Sequence, residues 1–242
     1  MSRKRWIGGS ILLLIFILTL LKGKSLYVTI QSQLKKRETT ASVQQRLAEK
    51  VATNLQPHLN KIGLQQLPDR LIIVGLKQEQ LLEVYAAVKG EMKRLKVYPF
   101  TAMSGKLGPK LQEGDKQIPE GIYQIEYLNP NSAYYLSLKV NYPNSFDQKK
   151  AQLDNRSQLG GDIFIHGKAV TIGCIPIGDE AIEEVFTLGA HAYAQGIKVI
   201  LSPQDFRKVP EFPEIDGISW EKELYQVIAR ELDQLPTEDY LL

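Results

Sequence analysis

An uncharged, mostly apolar run of sixteen residues, Trp6 to Leu21, fixes where the rest of this chain can fold. Arg3, Lys4 and Arg5 precede it and Lys22 and Lys24 follow. A basic end leading into an apolar run is the pattern of an export signal. The run falls just short of the roughly 17–25 residues of a spanning helix and exceeds the roughly 7–15 of a cleavable core. No small-x-small cleavage site follows, so residues 1–25 read as a signal anchor rather than a removed signal peptide. The basic end then stays in the cytoplasm, and residues 6–21 hold the protein in the inner membrane. A buried soluble helix would need a polar face that this segment lacks. The remainder is expected to fold on the periplasmic or extracytoplasmic side.

Outside the cytoplasm, small domains are often held together by disulfides, and this chain has one cysteine. The exported part must therefore rely on its hydrophobic core, for which it is long enough. The formal net charge of +3 includes the N-terminal basic residues that serve topology, so nothing points to a nucleic-acid surface. Cys174 is either a small buried hydrophobe or a reactive thiol, and its neighbours must decide between them.

Residues 39–60 place Val43, Leu47, Val51 and Leu55 at steps of four on an otherwise polar helix. Within a linker over 26–69 this reads as a juxtamembrane stalk, with a helix packed on the domain as the alternative, ended by Pro57 in either case. From residue 70 the pattern turns to short β-rich runs: RLIIVGLK, GIYQIEYL, AYYLSLKV, DIFIHG, KAVTIG and IKVILS. The segment EQLLEVYAAVKGEMKRLKV carries a helix-like stretch before its β-rich end. Two further helices are predicted, one from an Asp179 N-cap to a stop at Gly196, the other from a Ser219 N-cap to Pro236. The expected class is α+β and β-rich, with a catalytic domain over 70–207 and a helical extension over 208–242 packed on it.

A thiol at its ordinary pKa is only a few per cent thiolate at neutral pH, so a nucleophilic cysteine needs a base beside it. His166 ends one β-like segment and Cys174 another, with the Gly167-Lys168 turn region between, so strand pairing would bring both into one locality. Gly173 has no side chain to obstruct an acyl group and lets backbone amides turn toward a developing oxyanion. The bland alternative is a Gly-Cys bulge in a core. Cys174, His166 and His191 are also ligand types that zinc accepts, but the close ligand pairs of structural zinc sites are missing. No metal and no other cofactor is expected, and His191 reads as an exposed helix histidine.

The segments GGDIFIHG and TIGCIPI together resemble the signature of the L,D-transpeptidase catalytic domain, the YkuD-type family. Upstream, SGKLGPKLQEGDKQIPEGIY and YYLSLKVNYPNSFD resemble the family's GPK, EGD and PEGxY stretch and its following strand and loop. The commonest family form has His where Ile172 stands and Arg where Pro176 stands. It also has more than the seven residues that separate His166 from Cys174 here, a spacing similar to the family's YafK-like branch. The resemblance implies a mixed sheet with accessory helices and a peptidoglycan stem peptide as substrate. It further implies a Cys174 thioester, with His166 as general base, Gly173 and Cys174 amides for the oxyanion, and the Gly167 carbonyl orienting the imidazole. Thr171 is a candidate support, and Arg156, Lys168, Lys106 and Lys110 are candidates for the substrate's carboxylates. Transfer to an amine, including a protein amine, and hydrolysis to water both follow from that chemistry. A non-catalytic peptidoglycan-binding module is the third alternative.

Overall fold

The computed structural model describes residues 37–237. The signal-anchor segment predicted at residues 6–21 lies outside them. Among the described residues, no helix is long and apolar enough to cross a membrane.

Eight strands form one mixed sheet: β1 Leu71–Leu76, β2 Leu81–Val88, β3 Glu91–Pro99, β4 Gly121–Ser132, β5 Tyr135–Val140, β6 Phe164–His166, β7 Ile175–Pro176 and β8 Ile197–Ser202. Their spatial order is β3-β2-β1-β8-β4-β5-β6-β7. The β1–β8 and β6–β7 pairs are parallel and the others antiparallel. The long β4 joins two halves of the sheet: Gly121–Gln124 pair with β8, and Ile125–Ser132 with β5. Four helices, α1 Thr40–Ile62, α2 Ser145–Leu153, α3 Asp179–Ala192 and α4 Glu221–Leu232, complete the α+β architecture.

The central strands are buried on both faces, which explains the near-continuous apolar run of β8. Ile197, Val199 and Leu201 join one core with residues of α1 and α3, while Ile200 joins Trp220, Leu224, Tyr225, Ile228 and Leu232 of the α4 region in a second. The period-2 alternation of a strand thus divides one segment between two cores.

The first helix is not a free stalk. A reciprocal Thr39–Ser42 capping box starts α1, and Val43, Leu47, Val51, Leu55, Leu59 and Ile62 are all buried in the first core. Pro57 does not end the helix, which runs to Ile62 and closes at Gly63 with φ 89°. An interior proline costs about 3 kcal/mol. Burying Leu59 and Ile62 beyond it offsets that cost at about 1.5–3 kcal/mol each.

Two other expectations are corrected. The segment from residue 79, expected to be helix-like before its β-rich end, is a hairpin, because Lys89 (φ 52°) and Gly90 (φ 93°) form its two-residue turn and β2 is buried almost throughout. KAVTIG is no strand: residues 167–174 form a loop, and only Ile175–Pro176 pair with β6. Minor differences occur at helix starts. Gly178, not Asp179, is the N-cap of α3, and Trp220, not Ser219, that of α4.

Candidate active site

The parallel β6–β7 register, Ile165 with Ile175 and His166 with Pro176, brings Cys174 to the start of β7 against the backbone of β6. The half-buried thiol donates to the Asp162 carbonyl at 3.4 Å and receives a hydrogen bond from the Phe164 backbone. His166 lies two residues beyond Phe164, fully buried. Its Nδ1 faces the Gly167 carbonyl at 2.5 Å, and its ring stacks on Tyr134 at 4.6 Å. A carbonyl can only accept, so Nδ1 carries the proton and Nε2 keeps its lone pair.

Burial pushes the Cys174 thiol above its ordinary pKa, against the opposing effects of the Phe164 N–H, Lys139 and Lys110. The same cause, burial, lowers His166, with the Gly167 carbonyl opposing. A low-dielectric site disfavours both charged forms, thiolate and imidazolium. Burial therefore outweighs the nearby cations, and the thiol is not depressed below its ordinary range.

Two glycines permit this geometry. Gly173 has φ 127°, and a Cβ there would meet the Gln117 carbonyl oxygen at 3.1 Å. At Gly167 a Cβ would come within 2.6 Å of Asp179 Oδ1 and 2.9 Å of the Tyr134 carbonyl oxygen. Thr171 ties the loop together: its Oγ1 accepts from the Gly173 N–H at 3.1 Å and donates to the Cys174 carbonyl at 2.7 Å. Thr171 is thus occupied as a loop brace, and one of the two amides expected to hold an oxyanion, that of Gly173, is already engaged.

The other predicted residues divide. Arg156 is committed to Asp154 at 2.8 Å and the Leu111 carbonyl at 2.8 Å, with its guanidinium over Trp220. Lys110 is paired with Asp115 at 2.5 Å and the Gln112 carbonyl at 2.8 Å. Lys168 binds Asp179 through both its backbone N–H and its ammonium, which fastens the loop to α3. Lys106 has an exposed side chain, and its backbone N–H donates to Gln117 Oε1. Arg156 and Lys110 are held by protein acceptors, whereas Lys168 and its partner Asp179 are both about half exposed. His191 faces Asp69 at 3.2 Å.

A sequence-family model for the L,D-transpeptidase catalytic domain, YkuD, matches residues 69–194. The chain belongs to the L,D-transpeptidase catalytic-domain family. YafK of Escherichia coli strain K12 is 32% identical over 132 residues, which cover 52% of this chain and 51% of that protein. YafK of strain O157:H7 matches to the same extent. The chain thus spans about half the length of these curated relatives. Among solved structures, the helical cell shape determining protein Pgp2 of Campylobacter jejuni is similar with a TM-score of 0.45 at 19% identity, covering 74% of this chain and 77% of that one. Mycobacterium tuberculosis L,D-transpeptidase 1 gives a TM-score of 0.30 at 15% identity over 55% of this chain and 62% of that one.

In this L,D-transpeptidase domain several groups around the thiol escaped the sequence reading. Tyr134 covers the imidazole. Gln117 backs Gly173, and Phe164 and Lys139 lie beside the thiol on neighbouring strands. Their positions depend on cross-strand register, which spacing along the chain does not reveal.

Proposed function

We propose that this domain is an exported cysteine acyltransferase of the cell wall, an L,D-transpeptidase acting on peptidoglycan stem peptides. The carrying observation is that the parallel β6–β7 register sets Cys174, at the entry to β7, beside the strand that ends in His166: Sγ rests against the β6 backbone, and His166 has Nδ1 tied to the Gly167 carbonyl. In this reading, Nε2 takes the Cys174 proton as Sγ attacks the amide carbonyl on the L-centre side of a diaminopimelyl-D-alanine type bond. The tetrahedral oxyanion is held by the Cys174 amide. Its collapse breaks the C–N bond, and the imidazolium returns the proton to the departing amine. The resulting thioester is resolved when an amine attacks the same carbonyl, releasing the thiol and forming the new amide. Water in place of the amine would give hydrolysis instead.

Neutral resting groups suit this sequence, because charge separation then develops only as the substrate displaces water from the site. An export segment at residues 6–21 would hold the domain on the face of the membrane where peptidoglycan lies.

The test is mass spectrometry of purified tetrapeptide and cross-linked muropeptides after incubation with the protein. New dimers or amine-exchanged products that vanish in Cys174→Ala are expected. Shortened stems without new bonds would make the domain a hydrolase, and no Cys174-dependent change would overturn the catalytic reading.

A further inference from the structure

Four lysines are buried among the described residues, and one is poorly held. Lys77 gives its three protons to oxygens within 3.0 Å. Lys110 has Asp115 and a carbonyl, and Lys150 has Glu223 at 2.5 Å. Lys139, with its side chain 10% exposed, has a single oxygen partner, Asp162 Oδ1 at 3.4 Å, on a carboxylate that is 96% exposed. Its remaining contact is the Phe164 ring, 5.0 Å from Nζ. A buried ammonium costs several kcal/mol unless it is closely paired, and a long contact to a solvated carboxylate offsets little of that.

Lys139 stands directly opposite Phe164 across the β5–β6 ladder. The backbone of Asp162 and Phe164 in turn makes both hydrogen bonds of the Cys174 thiol. The under-paired cation and the nucleophile therefore flank the same three residues of chain.

We propose that Lys139 is the carboxylate-recognition residue of the site: its ammonium, seated over Phe164, takes a carboxylate of the acyl-donor peptide close to the bond that Cys174 attacks. Asp162 occupies that cation when no substrate is bound and turns out to solvent as the peptide docks. The inference rests on the acyl-donor reading above. A stem-type donor offers two carboxylates near the scissile carbonyl, the α-carboxylate of the leaving residue and the side-chain carboxylate of the donor residue. Either has the charge and geometry to pair with an ammonium.

The test measures peptide binding by calorimetry on Cys174→Ala protein, which cannot turn its ligand over. Three tetrapeptides are compared: the parent, one amidated at its terminus, and one amidated on its donor side chain. Lys139→Met is expected to weaken the parent about 10- to 100-fold, the scale of a charge-assisted hydrogen bond. Amidating the recognised carboxylate should cost as much with Lys139 present and nothing in Lys139→Met, which identifies the source. Lys139→Arg should recover most of the affinity. Asp162→Asn, a change on an exposed side chain, should tighten the parent severalfold, and it serves if Lys139→Met does not fold.

Equal weakening of all three peptides by Lys139→Met, no effect of that change, or no binding of the parent to a natively melting Cys174→Ala protein would each overturn the proposal. Product formation by the unaltered protein is scored separately. Cys174-dependent product with carboxylate-blind binding defeats Lys139 alone, and carboxylate-dependent binding without product defeats the transferase reading alone.

Discussion

Two polar regions of this domain treat buried charge in opposite ways. On the α4 side of the sheet, Glu120 accepts from Lys77 at 2.7 Å, the Gly108 N–H at 2.8 Å and the Tyr225 hydroxyl at 2.8 Å. Nearby, Glu83 binds Arg94 and Arg207, and Arg207 also reaches Asp205 and the Tyr85 hydroxyl. Lys77, Glu120, Glu83 and Arg207 each meet several partners. Around Cys174 the groups are under-supplied instead: neutral thiol, neutral imidazole, a loosely held Lys139, and a buried Ser137 hydroxyl opposite His166 with no partner among the described residues. A saturated network fastens α4 and the loop before β4 to the sheet. An unsaturated one keeps bonding capacity for a substrate, at some cost in stability.

Breaking the saturated side should have the largest effect on stability. Lys77→Met leaves Glu120 buried without its cation, and should lower the unfolding free energy by about 3–5 kcal/mol in urea titrations. Substituting apolar residues for both Lys77 and Glu120 should recover much of that loss, since the pair's worth over a packed apolar replacement is small. A loss below about 1 kcal/mol for the single variant would show that the network is looser than its distances imply.

On the other side, Thr171→Val removes both bonds of the loop brace while leaving thiol and imidazole in place. Thioester formation should slow by about tenfold, whereas stability should fall by only about 1 kcal/mol. Thr171→Ser keeps the hydroxyl and should restore the rate. Loss of rate in the Ser variant with an unaffected Val variant would mean that the methyl packing, not the hydrogen bonds, positions the nucleophile.

The thiol's environment gives a sharper check of the contrast. Because burial outweighs the Phe164 N–H and the nearby lysines, Cys174 alkylation by iodoacetamide should rise with pH to a midpoint above the ordinary thiol value of about 8.5. The lowered His166 keeps its imidazole neutral further into acid, so the acid limb of kcat/KM should fall below about pH 6.5. An alkylation midpoint in the acid range would instead mean a resting ion pair, and the division between saturated and unsaturated regions would need redrawing.

How far the sequence carries this contrast depends on the distance over which each pattern acts. The alternation of IKVILS, the amphipathic stripe of α1 and the His-Gly and Gly-Cys steps are local, and each reports its own surroundings. The β2–β3 hairpin was masked because LLEVYAAV is buried on both faces and its turn uses Lys89 in a left-handed conformation that lysine seldom adopts. KAVTI reads as a strand, yet Val170 and Ile172 both project into solvent, Ile172 with 75% exposure, because the segment pairs with no strand. Arg156 attracted attention as a planar cation, but Trp220 and Asp154 arrive from distant parts of the chain to occupy it. Lys139 is the reverse case, ordinary in sequence and distinctive only once β5, β6 and β7 are laid side by side.

The smallest effect separates structural from catalytic titration. Asp147 closes the α2 capping box with Asn144 and accepts from the Tyr123 hydroxyl, and burial raises its pKa to about 6. Between about pH 4 and that value the folded protein holds a proton that the unfolded chain has released. Stability should therefore fall as pH rises through this window and level off above it. The slope cannot exceed about 1.4 kcal/mol per pH unit for one group. Asp147→Asn should remove this slope while adding a pH-independent loss of about 1 kcal/mol, because an amide offers one acceptor where the carboxylate offers two. Asp147 lies in the capping box and not among the thiol's partners, so the variant should leave the alkylation profile of Cys174 unchanged. A shift in that profile would show that the α2 cap is coupled to the site.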